Sequence, residues 1–291
     1  MPIRRGEIAF RRMIAKLAGQ RLRKRKIPMM REPKAAQLRF QIMLKEMHRT
    51  LSQLLFEQVI DELPNIVAQG IADRGGVRRD AAIDDILRVF SNFPVLFAEA
   101  HPPIQTETQL NAVGEQVDTI NSEGFQRQMK AGLGVELITP EPFRQATIQA
   151  FVQENLELVK SLHTDQIKRF RSIVSRGVQS GQRVEYIRDQ LMNQLGVAKS
   201  KASLLARDQT LRLHGEMTEL RQTNVGIEEY DWDSSQDERV RPRHAELHGT
   251  RQRWDDPPIV DYKSGRRAHP GQDYQCRCNA VPVLDALLES E

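Results

Sequence analysis

Beyond Pro142 the large apolar residues recur every third or fourth position, and this period restricts the chain to helices more firmly than any other feature. Ile167, Phe170, Ile173, Val174 and Val178 form one stripe. Gly181 interrupts it, and Ile187, Leu191 and Leu195 form another that stops before Gly196. A further helix is expected from about 199 to 223. Helices joined by short connections pack on one another as a bundle, with Leu, Met and Phe on the facing sides. The composition agrees: aromatic residues make up 5% of the chain and charged ones 28%, a balance suited to long helices rather than to a sandwich or barrel.

The same period appears nearer the N-terminus. Met43, Met47, Leu51, Leu54, Leu55 and Val59 predict one amphipathic helix over 35–63, closed by Pro64. From 65 to 103 the pattern breaks into helix, loop and connector, with Gly75 and Gly76, a short helical run through Ile83, Ile86, Leu87 and Phe90, and then Pro94, Pro102 and Pro103. Residues 104–132 carry few large apolar groups and read as a helix that meets a partner or as an exposed strut. No run of about 18 apolar residues exists and no secretory signal opens the chain, so the expectation is a soluble protein made in the cytosol.

The character changes at Gly226. "GIEEYDWDSS" sets β-prone Ile227, Tyr230 and Trp232 between turn formers, "QDERVRPRHAELHG" reads as a short helix closing at Gly249, and "IVDY" and "CRCNAVPV" are strand-like. The fold class expected is therefore mainly α: long helices and a helical bundle followed by a small C-terminal α+β module. Along the chain this gives a basic N-terminal arm (1–34), a helical N-terminal region (35–140), the bundle (141–225), the module (226–284) and a tail (285–291). The module is poor in apolar residues, the condition under which a metal or a dense ion network adds stability.

Cys276 and Cys278 are the two cysteines of the chain. One residue apart, they are too close for an easy bridge, and in a strand both thiols would point to one face. His244, His248 and His269 share the module, and the i, i+4 spacing of His244 and His248 would turn both toward one point. Zinc takes about four thiolate or imidazole ligands, so one expectation is a structural zinc on His244, His269, Cys276 and Cys278. The plain alternative is two buried reduced thiols beside hydrogen-bonded histidines, with no cofactor required. Two catalytic arrangements also stay open: a Cys276 nucleophile with His244 and Asp237, and a metal nuclease on His244, His248 and Asp237. No nuclease motif accompanies the second.

In "DERVRPRH", Asp237 and Glu238 are expected near the positive end of a helix, with Arg239, Arg241 and Arg243 close enough to pair with them and with Asp231 and Asp233. Trp232 and Val240 are interleaved with these charges, which favours a buried locking network over a solvated ladder. At the other end of the chain, residues 1–34 hold twelve Lys/Arg against Glu7 and Glu32, a net +10, so the remainder carries −6 within the total of +4. The cluster Arg21, Arg23, Lys24, Arg25 and Lys26 suits an arm that neutralises phosphates without reading sequence; a solvated tail is the bland reading. No basic face rich in aromatics accompanies it, so stacking on single strands is not indicated.

Taken in order, "LLARDQT" at 204–210, "GIEEYDWDSSQDERVRPRHAELHG", "HPGQDYQCRC" and "AVPV" resemble the C-terminal module of the phage Mu F-like minor head proteins, over roughly residues 150–284. The matching positions are Trp232, Asp237, Arg239, Val240, Arg241, His244, Gly249, Pro270, Gly271, Cys276, Arg277 and Cys278. His248 departs from the pattern, standing where an acidic residue is expected, and residues 1–140 match nothing named. The resemblance implies a head morphogenesis component of a tailed phage, present in few copies in the virion and assembled in the host cytoplasm. Its implied partners are the portal protein, the major capsid protein and double-stranded DNA without sequence preference, with no membrane at the assembly stage. It also implies no enzymatic activity, and a structural network of Trp232, Asp237, Arg239, Arg241 and Arg277. The rival expectation is a metal-dependent hydrolase or toxin module at 226–284 delivered with phage DNA.

Overall fold

A computed structural model describes residues 27–65, 68, 77–134 and 136–284, with backbone alone at 77–83, 85 and 86. Its helices are α1 (Lys34–Leu55), continued by a π-helical turn (Phe56–Ile60), α2 (Val77–Ala100), α3 (Pro103–Leu133), α4 (Arg144–Gln179), α5 (Val184–Asn224) and the short α6 (Pro242–Leu247). The strands are β1 (Glu229–Asp233), β2 (Arg251–Arg253), β3 (Ile259–Asp261), β4 (Arg266–Arg267) and β5 (Asn279–Pro282). The chain is mainly α with a small C-terminal α+β module, as the apolar period requires.

The helices run longer than their punctuation suggests. Pro94 does not end α2, and Gly196 does not divide α5. A proline inside a helix costs about 3 kcal/mol and a glycine about 1. Phe90 and Phe93 of α2, and Leu191 and Leu195 of α5, bury in one core, and that burial outweighs the local costs. Gly181, by contrast, takes φ +64 and does separate α4 from α5. The strut reading of 104–132 is overturned. Leu110, Val113, Val117, Phe125 and Met129 are buried along α3, and so are its polar Asp118, Asn121 and Gln128.

The described residues fall into two compact units, and four helices contribute residues to both. One unit takes 38–111 and 152–206. Its core joins Leu51, Leu55 and Val59 to Phe90, Phe93, Phe170, Val174, Val178, Ile187 and Leu191, so the stripes expected from the sequence face inward. The other takes the described residues of 1–37, 112–151 and 207–291. In it, Met30 packs with Phe125, Met129, Leu133, Val225 and Ile227, and Gln128 Nε2 donates to the Pro28 carbonyl at 2.9 Å. Residues 27–34 thus belong to a folded unit and not to an arm. Arg21, Arg23, Lys24, Arg25 and Lys26 lie outside the described residues.

The module supplies a three-stranded antiparallel sheet in the order β2-β1-β5, with Tyr230 opposite Gln252 and Trp232 opposite Ala280. Alternation along β1 turns Tyr230 and Trp232 inward, where they join Leu247, Trp254 and Val260. β3 and β4 form a separate antiparallel pair.

Two histidines inside the helices tie stability to pH. Burial pushes His163 in the first unit, and His214 in the second, down to about 4. Both are neutral in the fold, while in the unfolded chain they take up protons near the ordinary 6.5. As pH falls from 6.5 toward 4 the unfolded state binds protons that the folded state refuses, so stability drains across that window and the loss is complete below it. The expected cost is on the order of 1–3 kcal/mol per histidine. Urea midpoints measured from pH 7 to pH 4 check this, and the slope should flatten in His214→Gln.

Candidate functional site

β1 leads through a turn into α6, where Pro242 takes the first helical position after an extended Arg241. Six helical residues suffice to turn His244 and Leu247 inward, three apart on one face. Gly249, at φ +73, then reverses the chain, and its N–H donates to the Trp232 carbonyl at 2.8 Å. The closing glycine read from the sequence has this role.

The "HPGQD" turn reaches the same point from the other side. A Cβ on Gly215, in the C-terminal third of α5, would stand 2.7 Å from the Pro270 carbonyl oxygen, and a Cβ on Gly271, at φ +84, would in return crowd Gly215 Cα at 3.0 Å. Two glycines therefore let the turn lie directly on the helix. The Gln275 N–H donates to Asp208 on α5 at 2.5 Å, anchoring the far end of the turn. Residues 276–278 then run extended toward β5 and place both thiols against α6. The cysteines precede the strand rather than lying in it.

His244 is the centre. Its Nδ1 is 3.5 Å from Cys276 Sγ and 3.6 Å from Cys278 Sγ, and its Nε2 is 3.0 Å from Asp273 Oδ2. The edge of the Trp232 ring closes the back, with centroids 5.4 Å apart at 81°. Asp273 is buried and receives Arg241 at 2.9 Å, with Arg266 3.0 Å from its other oxygen as an ion pair rather than an aligned hydrogen bond. Burial alone would push His244 down, but hydrogen bonds to Asp273 and Cys276, and their charges, raise it to about 9. The Cys278 thiol and then His244 hold Cys276 well below the usual thiol range, while Cys278, bonded to Cys276 and buried, is pushed up. Cys276 is thus the thiolate of the pair and Cys278 its donor.

The other residues expected at the site are placed as follows. His269 stands apart from the thiols. Burial pushes it down to about 4, and its neutral Nδ1 accepts from the Tyr230 hydroxyl at 2.8 Å. His248 caps α6 at the surface and accepts the Ser234 N–H, so it shares no point with His244. Asp237 and Glu238 precede α6 by several residues and do not act at its dipole. Asp237 instead takes a bidentate Arg277 at 2.5 and 2.6 Å. The expected pairing within "DERVR" is replaced by pairing across the module: Arg241 with Asp273, Arg251 with Asp231, and Arg243 with Glu246 and over the Tyr262 ring. Arg239 is exposed, and its backbone N–H donates to Asp237. The orienting carboxylate missed from the sequence is Asp273; its signal was its place inside the same short stretch as both cysteines. A cavity of about 230 Å³ opens on the cluster, with Arg207, Arg239, Arg241 and Arg277 in its wall.

These elements coincide with a known family. Residues 168–281, from within α4 to β5, match the family described as phage Mu protein F like protein. An uncharacterized protein of Haemophilus influenzae is 29% identical over 184 residues, which cover 62% of this chain and 40% of that relative. The chain thus matches less than half the length of this curated relative. No solved structure matches significantly. Among the described residues no helix is long and apolar enough to cross a membrane.

Proposed function

We propose that this chain is a structural component of tailed-phage head morphogenesis. It acts as a minor capsid protein that docks at the portal or the inner capsid surface and contacts packaged DNA without choosing a sequence. The observation that carries the reading is the phage Mu F-like match, which takes in β1, α6 and the HPG turn, the elements that build the one buried His-Cys-Asp cluster seen among the described residues. Cys276 is only 3% exposed, which favours a locking role for the cluster over turnover of a substrate. The partners are then the portal protein, the major capsid protein and double-stranded DNA, met in the host cytoplasm and retained in the virion. Arg21, Arg23, Lys24, Arg25 and Lys26 supply the phosphate contacts: residues 1–26 alone hold ten Lys/Arg and one acid, a net +9.

Co-expression with the portal and major capsid proteins of the same phage is the test. The chain should co-purify with portal-containing particles in few copies; normal packaged particles formed in its absence would overturn the reading. DNA contact is measured separately. The full chain's log affinity should fall linearly with log salt, by about 0.9 log units per phosphate contact for each tenfold rise in salt. A chain lacking residues 1–26, which keeps Pro28 and Met30 in the fold, should bind at least tenfold more weakly at low salt. Equal binding by both would remove the arm from the account.

A second reading, a hydrolase or toxin module at 226–284, draws on the Asp273–His244–Cys276 line, which has the order of orienter, base and thiol nucleophile. It predicts turnover that disappears in a folded Cys276→Ser.

A further inference from the structure

We propose that His244 Nδ1, Cys276 Sγ and Cys278 Sγ bind one zinc ion, leaving its fourth position open to the arginine-lined cavity. Zinc bonds of about 2.0–2.1 Å to nitrogen and about 2.3 Å to sulfur, at a tetrahedral angle, hold the nitrogen roughly 3.5–3.6 Å from each sulfur. His244 Nδ1 lies 3.5 and 3.6 Å from the two sulfurs, and the three donor atoms all fall within 4.8 Å of one another. A thiol–imidazole pair needs one cysteine; here two converge on the same nitrogen, and both are free.

The surroundings have the order of a metal site. Asp273 takes the other ring nitrogen of His244, which fixes the ring's orientation and turns Nδ1 toward the sulfurs, ready to ligate once its proton leaves. Arg241 shares Oδ2 of Asp273 with His244, and Arg266 faces Oδ1, so the carboxylate is held at both oxygens. The Trp232 indole N–H is fully buried, has no aligned acceptor, and lies within interaction range of the Cys278 sulfur, where a metal thiolate would accept it. Two thiolates and an imidazole select a soft or borderline cation over magnesium or calcium. No fourth His, Cys, Asp or Glu joins the group among the described residues, so water or an anionic oxygen from the cavity completes the shell. Binding releases two protons to solvent, that of the Cys278 thiol and that on His244 Nδ1. This inference does not depend on the head-assembly reading, and its test is independent of it.

The full chain, stripped by a chelator and reconstituted with excess zinc, should keep one zinc per chain through gel filtration. X-ray absorption of that form should count two sulfurs, one imidazole and one further light atom, and cobalt(II) in its place should show thiolate charge-transfer bands with four-coordinate d–d bands. Cys276→Ser and Cys278→Ser should each weaken zinc binding by more than the roughly 10–100-fold typical of losing an outer partner. His269→Ala should leave it unchanged. The absorption spectra use the unaltered chain and stand even where a variant fails to fold. No retained zinc, fewer than two sulfurs, or unchanged binding by a folded Cys278→Ser would overturn the proposal. Loss of zinc from a folded His269→Ala would also overturn it, in favour of the four-residue set read from the sequence.

Discussion

Replacing Arg221 with alanine is expected to cost about 3–5 kcal/mol, the range for removing one partner from a buried ion network. Its side chain is 1% exposed, yet its donors are matched by acceptors: Nε and one terminal nitrogen to the two oxygens of Glu141 at 2.8 Å each, and the other to Asn121 Oδ1 at 2.7 Å. Asp118 accepts from it as well, and takes Arg144 Nε at 2.5 Å on its second oxygen. Among the described residues, alanine at 221 leaves Glu141 with no ion-pair partner and Asp118 with one where it had two. A lysine keeps the charge but offers no planar fork, so Arg221→Lys should recover no more than about half the loss. Urea unfolding measures both. The loss should reach beyond the network, because α5 carries Arg221 together with Asp208 and Gly215, on which the HPG turn rests. Faster reaction of Cys276 and Cys278 with a thiol reagent in Arg221→Ala is therefore expected. A change below about 1 kcal/mol would mean that the network contributes as little as surface pairs do.

How far the chain could be read without its structure depends on whether the signal is local. Apolar period is local, so the stripe from Ile167 to Val178 and the switch to a β pattern at Gly226 were visible. Local punctuation misled where burial overrode it, at Pro94 and Gly196. α3 misled for the opposite reason. Asp118 and Asn121 lower its apolar content because their partners, Arg221, His214 and Thr218, lie about 100 residues away. At the site, the two cysteines and His244 were legible from residue type and spacing. Asp273 was not, since a carboxylate in a turn is ordinary until the fold buries it against a histidine. His269 and His248 share the module and the residue type but face other partners, a difference made by the strand and helix faces rather than by spacing.

The second large effect is expected at Trp232. It is fully buried on the central strand and forms the wall behind His244, so Trp232→Ala should cost about 3–5 kcal/mol through lost burial and the cavity left behind. The sheet gives little room to collapse. Ala280 stands directly opposite on β5, and Gly249 N–H is tied to the Trp232 carbonyl. Trp232→Phe keeps most of the apolar volume and removes an N–H that has no aligned acceptor, so it should cost only about 1 kcal/mol. The two variants separate shape from hydrogen bonding at one position. Chemical denaturation gives the stabilities, and the pH titration of the His244 ring by NMR, in chain stripped of metal by a chelator, gives the local consequence. In Trp232→Ala solvent reaches the ring, its bonds to Asp273 and Cys276 weaken, and its value should fall from about 9 toward the ordinary 6.5. Trp232→Phe should leave it near 9. A phenylalanine variant as unstable as the alanine one would show that the indole N–H, and not the ring, is what the module requires at this position.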